Sequence, residues 1–148
     1  MLALQREHGC RAFTGKYLSL YLTNDEMRDL KSILVIDEDF GLRYTLSIIL
    51  RRAGYQITEA ASTCEAFELL KTTHFDLIFL GIPPDQNGLP PVAEVRCIHP
   101  DIPIIVLTTQ PSPAFIKKIG RDRASDYLVK PVDPPILLDR VQKMVSER

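Results

Sequence analysis

A doubly wound α/β domain on a five-stranded parallel sheet is the fold class that this sequence predicts, on three observations. Five short apolar runs rich in β-branched residues alternate with five stretches of helical spacing between Lys31 and the C-terminus. The run "ILVID" is continuous and apolar, as a strand buried on both faces would be. The intervening stretches are long enough for right-handed helical crossovers that cover both sides of the sheet.

Each element has its own local reason. The run "ILVID" is the first strand and ends in acid. In "RYTLSIILRRAG", Leu42, Leu46, Ile49 and Leu50 form one helical face, Asp39 is a candidate N-cap, and Gly54 sits just past the end. The second strand is "QITEA"; Ser62 or Thr63 then caps "CEAFELLKT", which offers Ala66, Leu69 and Leu70 to a core. "DLIFL", "IPIIVLT" and "DYLV" are the remaining strands. "LPPVAEVRCI" and "PAFIKKIG" are helices with proline near the start, where its missing N–H costs least, and "PPILLDRVQKMV" closes the chain in the same way. The fourth helix is expected to stop at Gly120, before the charged turn "GRDRAS" with Arg121, Asp122 and Arg123. Tyr44, Phe67 and Phe115 are expected to pack, His74 and His99 to lie on the surface, and Pro131 to form a turn with a cis bond as an option.

Residues 1–30 differ from this pattern and are read as an N-terminal extension, partly ordered or flexible, ahead of a domain at 31–148. They contain the alternating piece "KYLSLYLT" and then "NDEMRDLK", where Asn24 is a candidate cap. Two roles fit: packing on the domain, or serving as a partner-binding or dimer-forming arm.

Composition limits the partners. With 148 residues, 45% of them hydrophobic, the chain supports one sizeable core. Its 18 basic and 19 acidic residues leave a net charge of -1, which argues against a surface that tracks nucleic acid phosphates. Cys10, Cys64 and Cys97 form no CxxC pair, so neither zinc nor a disulfide framework is expected, and a cytoplasmic setting is the simplest. No run reaches the roughly 18 apolar residues of a membrane span. The opening residues are too short in apolar content for a signal peptide.

In a parallel α/β sheet, function gathers at the carboxyl ends of the strands. Those ends carry Asp37, Glu38 and Asp39; then Gly81; then Thr108 and Thr109; and finally Lys130 before Pro131. Carboxylates suit a hard divalent cation, while a hydroxyl and an ammonium suit a phosphoryl group.

From Lys31 onward, about four-fifths of the chain resembles the receiver domain of bacterial response regulators, on "ILVIDED", "FDLIFL", "DIPIIVLTT" and "ASDYLVKP" in that order. The resemblance implies a flavodoxin-like, CheY-like fold and a place in two-component or phosphorelay signal transduction. It implies that Asp37 and Glu38 are remnants of a magnesium site, Thr108 and Tyr127 the switch residues, and Lys130 the phosphate-pairing ammonium. The family's phosphoacceptor aspartate falls on Gly81, which has no side chain to modify, and the stretch from Gly81 to Gly88 is one residue shorter than the family pattern.

The chain is therefore expected to be a pseudo-receiver, not an enzyme, that needs no cofactor, binds magnesium weakly and acts through protein contacts. Lys130 is then free to pair with Asp37 or Glu38. Asp85 is a poor substitute acceptor beyond two prolines, and Asp76, expected to open the third strand as an exposed polar residue, a worse one. A neighbouring acid in the vacated position would reopen covalent switching. The resemblance puts the partner surface on the fourth helix, fifth strand and fifth helix, with a homodimer as one use of it. The alternative function is a small-anion or nucleotide pocket at the emptied acceptor site. No output segment follows the last helix, so a lone domain and a fragment both fit.

Overall fold

The computed structural model describes residues 30–83 and 91–146. The expectations for residues 1–29, Asp85 and Gly88 lie outside the described residues. Strands and helices alternate as β1 (Ser32–Ile36), α1 (Phe40–Arg52), β2 (Gln56–Ala60), α2 (Thr63–Thr72), β3 (Leu77–Gly81), α3 (Pro91–Ile98), β4 (Ile104–Thr108), α4 (Pro113–Arg121), β5 (Asp126–Val129) and α5 (Pro134–Ser146). The five strands form one parallel sheet in the order β2-β1-β3-β4-β5.

The period-2 pleat sorts the core into two halves. Leu34, Ile36, Ile78, Leu80, Ile104 and Val106 face one way and pack with Ala66 and Leu70 of α2, Val92 and Val95 of α3, and Ile119 of α4. Ile33, Val35, Leu77, Phe79, Ile105 and Leu107 face the other way, onto Leu46 and Leu50 of α1 and Leu137, Val141 and Val145 of α5. Burial on both faces explains why these strands read as continuous apolar runs.

Side-chain caps fix where the helices begin. Asp39 Oδ1 accepts from Leu42 N at 3.3 Å, Ser62 Oγ from Glu65 N at 3.2 Å, and Ser112 Oγ from Phe115 N at 3.1 Å. Gly54, at φ +100°, turns the chain out of α1 in a conformation that favours glycine. Helix α4 runs one residue past Gly120 before Asp122 caps it.

Three surface and packing expectations are corrected. Tyr44 is 51% exposed and stacks on the still more exposed Phe40, with ring centroids 5.9 Å apart, because its position falls on the outer side of α1. His99 is half-buried, its Nε2 3.1 Å from Leu70 O, and so bridges α3 to α2. Asp76 is not an exposed strand opener: Asp76 Oδ2 accepts from Ser32 N at 2.8 Å and Asp76 N donates to Ser32 O, tying the start of β3 to β1. Phe67 and Phe115 pack against the core, His74 is exposed, and the Lys130–Pro131 bond is cis.

Candidate functional site

Parallel strands bring all their carboxyl ends to one edge, and register decides which residues meet there. Val35 pairs with Phe79 and Ile36 with Leu80, so the next column places Asp37 beside Gly81. Leu107 pairs with both Gly81 and Leu128, which carries the same column toward Lys130.

The approach of Asp37 to Gly81 is closer than any side chain on residue 81 would permit. A Cβ on Gly81 would lie 2.1 Å from Asp37 Oδ2 and 2.6 Å from Asp37 Cγ. Real Cβ atoms do not come that near, so the Asp37 carboxylate occupies space that only glycine leaves open. Lys130 Nζ stands 2.8 Å from the same Oδ2. Asp37 is 5% exposed, so the pair is largely withdrawn from water.

The rest of the Asp37 residue is also committed. Its Oδ1 accepts from Asp39 N at 2.9 Å, and its backbone oxygen accepts from Arg43 Nη1 at 2.7 Å. Arg43 Nε in turn donates to Glu59 Oε1 at 3.2 Å, which braces α1 against β2. Lys130 N donates to Thr108 O at 2.8 Å, fixing the root of the lysine to the end of β4.

Asp37, Glu38, Asp39, Gly81, Pro83 and Lys130 line a shallow cavity of about 360 Å³. Three carboxylates against one ammonium give it a negative balance, which opposes the binding of an anion or nucleotide phosphate. Magnesium does not fit this arrangement either. One Asp37 oxygen is held by Lys130 and the other by Asp39 N, while Asp39 Oδ1 caps α1, so Glu38, exposed, is the uncommitted carboxylate of the three. Among the described residues, no group of three or more His, Cys, Asp or Glu side chains converges to hold a metal ion.

The two residues expected to switch lie on the opposite side of the sheet. Thr108 continues the Ile104–Val106 column, is fully buried, and its Oγ1 accepts from Gln110 N at 3.4 Å. Tyr127 pairs with Val106 and packs half-buried against the α2–α3–α4 core. Thr109 is exposed. Sheet parity thus gathers Asp37, Gly81 and Lys130 and sets Thr108 and Tyr127 apart from them.

One polar cluster escaped the reading of the sequence. Arg96 is 8% exposed, and its guanidinium donates to Arg123 O at 3.0 and 2.8 Å, to His99 O at 3.3 Å and to Ile102 O. Burial lowers its pKa, nearby Arg123 adds to that effect, and Asp101 opposes it. The signal was present: Arg96 sits in the 92, 95, 96, 99 stripe of α3, where an inward-facing arginine must spend its donors on backbone oxygens. The charged turn "GRDRAS" is consequently anchored inward by the carbonyl of Arg123, a residue at φ 68°.

Residues 33–142 match the family model described as the response regulator receiver domain. The chain is 29% identical over 116 residues to the chemotaxis protein CheY of Thermotoga maritima, covering 77% of this chain and 97% of that protein. It is 30% identical to the transcriptional regulatory protein ZraR of Klebsiella oxytoca, over 78% of this chain but only 25% of that much longer one. Among solved structures, a CheY-like receiver domain protein from Methanospirillum hungatei superimposes with a TM-score of 0.74 at 27% identity, covering 80% of this chain and 96% of that one. A five-stranded parallel sheet flanked by five helices, with acids and a lysine at its carboxyl edge, is the CheY-like fold of these structural neighbours. The chain belongs to the response regulator receiver domain family and so to two-component signalling.

Proposed function

We propose that this chain is a pseudo-receiver: a non-enzymatic receiver module that carries no phosphoryl group at residue 81 and signals through protein contact. The observation that carries this reading is the Asp37 carboxylate lying against Gly81 with Lys130 at 2.8 Å. The two charges that would otherwise handle a phosphoryl group and its metal neutralise each other, and the site is held in one closed arrangement.

Asp37 is also the neighbouring acid that a covalent mechanism would need. Its burial disfavours that role, because attack on phosphorus requires an oxygen lone pair that the donor can reach. The partner surface follows from the α4–β5–α5 side. Val129 and Ile136 are 45% and 47% exposed there, beside a cavity of about 330 Å³ rimmed by the Asp126–Arg140 ion pair. Isolated apolar side chains with a polar rim suit a modest protein interface.

Intact-mass measurement after incubation with magnesium and acetyl phosphate tests the reading. An unchanged mass is expected. A phosphoryl adduct, mapped by peptide analysis to Asp37 or Asp85, would overturn it.

A further inference from the structure

β5 is the outermost strand on its side of the sheet, so one edge of it meets no ladder partner among the described residues. Along a parallel pair, the N–H and C=O of one residue point to the same side and those of the next point to the other. Lys130 N donates to Thr108 O at 2.8 Å, so Leu128 and Lys130 face β4, whereas Tyr127 and Val129 face outward. The residues of β5, with Ile136 and Arg140 of α5, line the cavity of about 330 Å³, so open space adjoins this edge.

We infer that the β5 edge is a latent pairing surface for a second copy of this chain, held shut by the Asp126 carboxylate. Asp126 Oδ1 accepts from Tyr127 N at 2.7 Å, which occupies one outward donor, and Asp126 Oδ2 is held by Arg140 of α5. Pro131 has no N–H to offer, so Val129 N is the outward donor that remains. The occupant follows from symmetry. When two β5 strands lie antiparallel about a two-fold axis at Leu128, Tyr127 of each copy stands opposite Val129 of the other. Each such pair can exchange two backbone hydrogen bonds, and Asp126 withholds those that Tyr127 N would donate. The same register sets a tyrosine against a valine on both sides of the axis, a favourable cross-strand pair, and Asp126 across from Lys130, so opposite charges meet.

The opposite edge of the sheet is closed by similar means. Gln56 N donates inward to Lys31 O at 2.9 Å, so Ile57 faces outward, and Ile57 O accepts from Arg51 Nη2 at 3.3 Å. Charged side chains placed along an edge are a general way to keep sheets from pairing. The inference concerns the partner face proposed above but does not depend on phosphoryl chemistry, so its test needs neither magnesium nor a phosphoryl donor.

Sedimentation equilibrium of the full chain, with amide hydrogen exchange at several protein concentrations, tests this. Asp126→Ala is expected to raise the self-association constant about thirtyfold, since each of two restored hydrogen bonds is worth about fivefold. Protection of Val129 N should then grow with protein concentration. Arg140→Met, which leaves the carboxylate in place but unclasped, should give a smaller rise. Adding Val129→Pro to Asp126→Ala removes the central donor and should cancel the gain, and proline is tolerated where an edge N–H faces outward. Asp139→Ala breaks the 3.1 Å ion pair with Lys143 elsewhere on α5 and should change nothing. An Asp126→Ala chain that associates no more than the native one, an equal gain in Asp139→Ala, association without protection at Val129, or concentration-dependent protection of Val129 in the native chain would each overturn the inference.

Discussion

At the scale of single residues, the molecule turns on what a missing side chain allows. Glycine at position 81 opens room for the Asp37 carboxylate, and that carboxylate then claims Lys130. Removing one member of such a buried pair leaves an uncompensated charge, whereas removing both leaves none. Lys130→Met is therefore expected to lower stability by about 3 kcal/mol in denaturant unfolding, the low end for a buried pair because the lysine retains some solvent contact. Adding Asp37→Leu should restore most of the loss. If Lys130→Met alone is silent, the ammonium and carboxylate are not engaged in solution. From the sequence, a pair between Lys130 and either Asp37 or Glu38 was legible, because all three charged residues follow strands whose carboxyl ends share one edge of a parallel sheet. The choice of Asp37 was not, since it depends on β1–β3 register and on the direction each strand end leaves the pleat.

At the scale of elements, strands and helices were readable nearly residue for residue, because the apolar runs and the caps are local signals. What escaped were side chains whose partners lie on other elements: Asp76 on Ser32, His99 on Leu70, and Arg96 on the turns flanking β4 and β5. Arg96→Met removes the donors to Arg123 O, His99 O and Ile102 O together. Each carbonyl left unpaired costs about 1–3 kcal/mol if buried, and partial rehydration of these loops brings the expected total near 3 kcal/mol. Hydrogen exchange at Ile104 and Ser125 should accelerate in step. Intact protection of those amides would mean that Arg96 is not what holds the turns.

The end of α1 supplies a pH dependence. Burial raises the Tyr55 phenol above its ordinary 10.0. The folded chain then holds that proton more tightly than the unfolded chain, so its contribution is whole below pH 10.0 and is lost as pH climbs through the folded value. Tyr55→Phe is expected to flatten the alkaline limb of the stability profile. A limb unchanged in that variant would assign alkaline unfolding to another group.

At the scale of the whole molecule, the family was legible because four motifs fall in order along the chain, and residues 33–142 match the receiver model. Function is less legible, since it depends on whether the carboxyl edge still communicates with the α4–β5–α5 face. The sheet separates the Asp37–Lys130 pair from Thr108 and Tyr127 by parity, and the backbone bond from Lys130 N to Thr108 O is a direct link between the two sides. On the pseudo-receiver reading proposed above, magnesium and a phosphoryl donor meet a pair that is already closed.

Amide NMR spectra of the full chain, recorded with and without magnesium and acetyl phosphate, put this to the most direct trial. Unmoved signals from Thr108, Tyr127 and Lys130, with the Lys130 ammonium remaining protected from exchange, are the expected result. A concerted shift of those signals, or release of the ammonium to solvent, would show a receiver that still switches by chemistry.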